Sequence, residues 1–252
     1  MNRREIFAGN WKMNNCYKDS IDLVKGILKD LGGIGKKEVI VFPPSLYVKD
    51  IVEICKGTSI DVGIQNMYYE KEGAFTGEIS PEMVKDVEVK YILIGHSERR
   101  HVFGETDDDV SRKISAAFEF QLMPVVCVGE LLEEREAGNS NQVVKRQIEK
   151  AFNEVSLEKM QDVIIAYEPV WAIGTGKVAT PDGADSMHKF IRTILKGMYN
   201  EELSNSIPVL YGGSVKPDNI AGLSNMEDID GVLVGGASLK AKSFLDIIHN
   251  SQ

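Results

Sequence analysis

Short apolar runs alternate along this chain with longer stretches in which apolar residues recur every three or four positions. Residues 6–9, 38–42, 60–64, 91–95, 123–128, 163–167, 207–211 and 230–234 are runs of strand length. Helical periodicity fills the intervals. Ile21, Val24, Leu28 and Leu31 share one face behind Ser20, and Val48, Ile51, Val52 and Cys55 share one behind Ser45. Val110, Ile114, Ala117 and Phe118 follow Thr106, whose next three residues are Asp107, Asp108 and Asp109, a charge order that suits a helix N-terminus. Val144, Ile148, Ala151, Phe152 and Val155 mark another helix. Thr180-Pro181 starts one with proline in its first turn, and Met187, Ile191, Ile194, Leu195 and Met198 face inward from it. Phe244, Leu245 and Ile248 close the series.

The strand-length runs are continuously apolar, not alternating. That predicts strands buried on both faces, which means a parallel sheet covered by helices. Eight such units in 252 residues predict an α/β chain, a single (β/α)8 barrel domain spanning 1–252, with eight parallel strands and outer helices. No G-x-G-x-x-G follows the first run, which disfavours a dinucleotide-binding sheet. The loop at 66–79 is long for such a fold and is apolar at several positions.

Charge narrows the partners. The net charge is −9, with no basic stripe, so neither nucleic acid nor an anionic membrane is an expected partner. Solubility is the simplest reason for that acidity, and a small anionic substrate needs only one local positive site. Cys16, Cys55 and Cys127 form no CxxC pair, which predicts free thiols in a reducing compartment. No stretch has the length of a signal segment or membrane span, and the expected location is cytoplasmic.

Barrels of this kind carry their chemistry where the strands end. The first run ends in Asn10-Trp11-Lys12, the fourth in Gly95-His96-Ser97-Glu98, and the sixth in Tyr167-Glu168-Pro169. The seventh and eighth end in Gly212-Gly213-Ser214 and Gly235-Gly236. Glycine-rich turns can aim backbone N–H groups at a phosphate. A carboxylate can act as a general base, a histidine as a proton shuttle and a lysine as a fixed charge for an oxyanion. Each residue also has an ordinary reading: a solvated lysine, a core histidine, a loop carboxylate, plain turn glycines. Their joint placement at strand ends is the more specific signal. His101, His188 and His249 have no comparable setting and read as surface residues. The segment 169–180 is long and apolar in its middle; Trp171 and Ile173 can exclude water while Gly174 and Gly176 permit bending, as in a lid, and a packed Ω-loop is the alternative.

Asn10-Trp11-Lys12, Gly95-His96-Ser97-Glu98-Arg99-Arg100, the string from Ala166 to Gly176, Tyr211-Gly212-Gly213-Ser214-Val215 and Gly235-Gly236-Ala237-Ser238-Leu239 together resemble the triosephosphate isomerases, over essentially the whole chain. The resemblance implies a TIM barrel that interconverts dihydroxyacetone phosphate and D-glyceraldehyde 3-phosphate through an enediolate, in glycolysis and gluconeogenesis, with no cofactor and no metal. It gives Glu168 the part of the base and His96 that of the neutral electrophile and shuttle. Lys12 and Asn10 fall beside the substrate, Glu98 supports Lys12, and Gly174, Ser214, Gly235 and Gly236 grip the phosphate. The 65–78 stretch resembles the family's dimer loop, with Thr76 near its tip and Glu78 at its end, and implies a homodimer with Cys16 close to the interface; a local active-site lid is the alternative, against which Tyr68, Tyr69 and Phe75 favour an interface. Leu131 stands where a threonine is expected and can alter a local cap. Two other readings stay open here. Another phosphosugar barrel enzyme would share the phosphate grip but use a different base. A binding protein on a decayed barrel would be expected to have lost Lys12, His96 or Glu168.

Overall fold

In the computed structural model, residues 3–173 and 179–251 are described. Eight parallel strands close on themselves in chain order: β1 Ile6–Asn10, β2 Glu38–Phe42, β3 Ile60–Ile64, β4 Tyr91–Ile94, β5 Met123–Val128, β6 Ile164–Tyr167, β7 Val209–Tyr211 and β8 Gly231–Val234. The ring is sealed where β1 pairs with β8, Ile6 opposite Gly231 and Gly9 opposite Val234. The fold is therefore the (β/α)8 barrel that the apolar runs predict.

Strand periodicity divides the core in two. Ile6 and Ala8 of β1, Ile40 and Phe42 of β2, and Tyr91 and Leu93 of β4 fill the barrel interior. Their neighbours Phe7, Val39, Val41 and Ile92 point outward and pack beneath the helices. The interior is filled tightly enough to dictate residue size. A Cβ on Gly63 would lie 2.1 Å from the Phe42 ring, and one on Gly231, where φ is +132°, would lie 2.0 Å from the Ile6 carbonyl oxygen.

The boundaries differ from the sequence pattern at definable places. The first helix runs Tyr17–Asp30 with Cys16 as its N-cap. Ser20 does not cap it: its N–H already donates to the Cys16 carbonyl and its side chain is buried. Ser45 does not cap the next helix: it begins a 3-10 turn, Ser45–Tyr47, with Pro44 as N-cap, and the helix Val48–Cys55 is capped by Tyr47. β7 starts at Val209 because Pro208 has no N–H to give. Six helices of four to six residues escape the pattern: Pro81–Asp86, Ser97–Val102, Leu132–Glu136, Leu157–Met160, Glu201–Ser206 and Ile220–Ser224. A helix that short completes too few turns to show a period. At Leu131 half of a capping box survives. Its N–H donates to the Glu134 carboxylate at 2.8 Å, while the leucine side chain can accept nothing in return.

His188 is not a surface residue. It lies on the inner face of helix Pro181–Met198, in phase with Ala184 and Ile191, and is wholly buried. Its Nδ1 is 3.2 Å from the Asp228 carbonyl oxygen, and its ring meets Tyr167 edge-on. Beside it Arg192 pairs with Asp228 at 2.7 Å and also with Asp230, which accepts the Val209 N–H at 2.8 Å. This ion cluster ties the helix to the starts of β7 and β8. His101 and His249 are exposed, as expected.

Burial depresses the His188 pKa from 6.5 to about 3. The folded protein thus resists a proton that the unfolded chain accepts, so His188 removes stability as pH falls from about 6.5 towards 3. Between pH 7.5 and 5 this amounts to about 2 kcal/mol. Urea midpoints at the two pH values should show the wild type losing that much more than His188→Gln. Equal losses would place the acid sensitivity elsewhere.

Candidate active site

Because every strand runs the same way, Asn10, His96, Glu168, Gly212–Ser214 and Gly235–Gly236 are delivered to one rim of the barrel. Asn10 is the last residue of β1 and is buried. Lys12, two residues on, has a left-handed backbone with φ 51°, an unusual conformation for a long side chain. Its N–H donates to Asn10 Oδ1 at 3.0 Å. Gln65 Nε2 donates to the Lys12 carbonyl and to that of Phe42, at 2.9 Å each. Side chains on both sides therefore fix the peptide that aims Lys12. Its amino group lies 2.6 Å from Glu98 Oε1, and its stem runs past Gly235, where a Cβ would sit 3.4 Å from Lys12 Cε.

His96 is the N-cap of helix Ser97–Val102. The Glu98 N–H donates to its Nδ1 at 3.2 Å. On the other side of the ring, Nε2 lies 2.9 Å from Glu168 Oε1. The second carboxylate oxygen, Oε2, accepts the Ser97 N–H at 2.8 Å. Glu168 is only 2 % exposed. Burial pushes its pKa up, but His96, the Ser97 N–H and Lys12 outweigh that and hold it below the usual carboxylate value. Burial pushes the His96 pKa down, but the neighbouring Glu168 outweighs burial and raises it above the ordinary value. A second ring proton would nevertheless have to sit on Nδ1, facing the Glu98 N–H at the positive end of a helix. The neutral tautomer with its proton on Nε2 satisfies both contacts, and we assign it on that ground.

These groups open onto a cavity of about 300 Å³ lined by Lys12, His96, Glu168, Ile173, Ser214, Gly235 and Gly236, among others. The glycines here do more than turn the chain. A Cβ on Gly212 would stand 2.9 Å from Glu168 Cγ, and one on Gly213 would stand 2.2 Å from the Tyr211 hydroxyl. Gly235 precedes the 3-10 turn Gly236–Leu239, whose Ser238 donates to the Gly235 carbonyl at 2.7 Å. This leaves Lys12 and the glycine-rich turns after β7 and β8 lining one cavity with the glutamate, a setting suited to an anion. Gly174 and Gly176 fall outside the described residues.

A second cavity of about 470 Å³ lies on the other side of Lys12, lined in part by Gln65, Gly77, Glu78, Glu98 and Phe103. Around it Met13, Leu46, Val102 and Phe103 are exposed, as are Thr76, Glu78 and Cys16. The 65–78 stretch carries its own aromatic stack. The Tyr68 and Tyr69 rings are 4.2 Å apart, Phe75 is 4.6 Å from Tyr68, and Arg112 lies over Tyr69.

Several contributors are not singled out by the sequence. Ser97 acts through its N–H, which any residue but proline supplies, so no side chain betrays it. Gln65 works from a different strand end on the backbone of Lys12. Cys127 is wholly buried near Glu168, and burial with that neighbouring charge raises its thiol pKa well above normal. Glu130, also wholly buried, accepts the Tyr167 hydroxyl at 3.1 Å and the Trp171 indole N–H at 2.9 Å. The Arg135 guanidinium covers the same indole at 4.3 Å. This anchors the near end of the 169–180 segment. The fixed N-terminal end of that segment was signalled only by its position after β6.

Comparison with known proteins agrees with this architecture. The family model described as Triosephosphate isomerase matches residues 5–251. The chain is 48% identical over 247 residues to the triosephosphate isomerase of Clostridium botulinum (strain Okra / Type B1), covering 98% of this chain and 99% of that one. It is 48% identical over 249 residues to that of Carboxydothermus hydrogenoformans, covering 99% of each. It is 46% identical over 250 residues to that of Dictyoglomus turgidum, covering 98% of this chain and all of the other. With a matching family model and relatives of this identity running almost end to end, the chain belongs to the triosephosphate isomerase family.

Proposed function

We propose that this chain interconverts dihydroxyacetone phosphate and D-glyceraldehyde 3-phosphate by moving one proton between adjacent carbons through an enediolate, as a step of glycolysis and gluconeogenesis. The observation that carries this reading is the buried Glu168 carboxylate, hydrogen-bonded to His96 Nε2 at 2.9 Å on the wall of a cavity that Lys12 and the glycine turns also line.

The contact implies an exchange. Glu168 gives up the Ser97 and His96 donors and turns to the substrate carbon, where it takes a proton. The His96 Nε2–H released by that movement then points at the substrate oxygens. As Glu168 withdraws the proton, negative charge grows on the former carbonyl oxygen. His96 passes its Nε2 proton to that oxygen and takes back the proton of the neighbouring hydroxyl, so that the two oxygens exchange their proton, and the Lys12 ammonium stabilises the charge electrostatically. Glu168 returns the proton to the neighbouring carbon. Asn10 holds the Lys12 backbone at 3.0 Å and borders the same cavity. Glu98 accepts a hydrogen bond from Lys12 Nζ at 2.6 Å and directs it. Ser214, Gly235 and Gly236 take the phosphate through main-chain groups. Enclosure of the substrate would also suppress loss of phosphate from the enediolate.

Residues 1–252 act as one barrel domain in this reading, and the working form is a homodimer in the cytoplasm. The exposed Met13 and Phe103, which line the second cavity, and their chain neighbour Val102 support self-association, since apolar side chains grouped on a surface favour an interface. The loop carrying Thr76 and Glu78 would enter that cavity on the second copy. No helix among the described residues is long and apolar enough to cross a membrane.

The direct test feeds glyceraldehyde 3-phosphate to the protein with EDTA present and reads dihydroxyacetone phosphate through NADH loss with glycerol-3-phosphate dehydrogenase. Rapid turnover is expected, and a folded but silent sample would defeat the assignment. Glu168→Asp retracts the base by one methylene and should cut kcat by about 10²-fold with little change in KM. Normal turnover in that variant would remove Glu168 from its role. Lys12→Met should fold normally and lose at least about 10²-fold in kcat/KM. Near-normal activity there would contradict the electrostatic part of the mechanism. Sedimentation equilibrium should give twice the 27.9 kDa chain mass, and a single-chain mass would refute the dimer.

A further inference from the structure

Glu168 meets two donors, His96 and Ser97, that follow β4, while its own backbone is held by β5, whose Val128 carbonyl accepts the Glu168 N–H at 2.7 Å. The geometry of the proton-transfer pair therefore depends on how β4 and β5 are joined at their ends. One buried side chain spans that junction. Arg100, 7 % exposed, donates from Nε to the Gly95 carbonyl at 2.8 Å and from Nη2 towards the Cys127 carbonyl at 3.4 Å. Gly95 directly precedes His96, and Cys127 directly precedes Val128. The third arm of the fork, Nη1, is fixed by Asp107 at 2.6 Å, and Asp107 also receives Arg146 at 3.2 Å.

The strand end is built around this fork. Gly95 has φ +72°, and a Cβ there would lie 2.9 Å from Arg100 Nη2 and 3.0 Å from Val110. Its N–H donates to Glu105 at 3.0 Å, so both polar groups of Gly95 are bound by charged side chains. Arg100 itself sits one turn into the helix that His96 caps and reaches back past the cap. A lysine could supply the charge but not three directed arms.

We propose that Arg100 is a positioning residue for the reaction: by strapping Gly95 to Cys127 it sets the placement of His96 and Ser97 relative to Glu168. Arg100 touches no substrate and acts through the two strand ends. The inference rests on the reading that His96 and Glu168 move the protons.

The test compares kcat, KM and melting temperature for the wild type, Arg100→Lys, Arg100→Met and Asp107→Asn, each checked for folding by circular dichroism. Misplacement of a reacting group by about 1 Å can cost about 10²-fold. Both Arg100 variants should lose at least about tenfold in kcat with KM within about twofold, and Asp107→Asn should fall less, in the same direction. A lower melting temperature with unchanged kcat per folded molecule would make Arg100 merely structural and overturn the proposal. Wild-type kcat in Arg100→Lys would show that charge suffices and overturn it too. If neither Arg100 variant folds, unchanged kcat in Asp107→Asn is decisive against it. Should the wild type prove inactive, the assignment of function fails separately. The His96 imidazole N–H resonance then decides the inference: it moves in Arg100→Lys if the strap sets the contact with Glu168, and stays in place if it does not.

Discussion

A carboxylate taken out of water must be matched at close range, and the rim of this barrel is organised around that need for Glu168. Its two oxygens are met by a backbone N–H at a helix start and by an imidazole nitrogen. For the proposed reaction the match must also be reversible, since a base held permanently by its donors could not reach a substrate. Donors that are neutral and few meet both demands. The ring offers one N–H and the helix offers one more. Among the described residues Lys12 and Lys216 are the lysines that line the cavity, and Lys12 is held partly by Glu98. The closeness of the packing follows from the same requirement: Gly129 admits no side chain because a Cβ there would lie 1.7 Å from the Glu168 carbonyl oxygen, and Gly212 admits none without meeting Glu168 itself.

The sequence made the barrel legible because its strands are buried on both faces, so each is a solid apolar run and each run is followed by the residues of the rim. The principal helices were legible for the complementary reason that one stripe of each is buried. Errors came where a residue type and its setting disagree. Ser20 looks like a cap but lies within a helix that already began at Tyr17, and His188 looks polar but keeps phase with Ala184 and Ile191. Lys12, His96 and Glu168 could be nominated because each brings a distinctive side chain to a strand end. Ser97, Gln65 and Arg100 could not. They act on main-chain groups, or through them, from positions that only the folded chain brings near.

Lys12 stands between the two cavities and lines both. Its backbone is held by Gln65, which itself lines the second cavity, and its charge is directed by Glu98 on the same side. Any group that fills the second cavity thus presses on the residues that aim the lysine into the first. An occupant of the second cavity would reach the first through a short chain of direct contacts, with no need for a change of fold.

Closure of the strand ring has a further consequence. Because β1 pairs with β8, no strand leaves a row of unpaired N–H and C=O groups along a free side. Exposed apolar side chains such as Met13 and Leu46 consequently cannot recruit a neighbouring chain by extending the sheet. Whatever they meet must fit them by shape. The protein can therefore display sticky surface beside its catalytic mouth while lacking the template on which fibrillar aggregates grow.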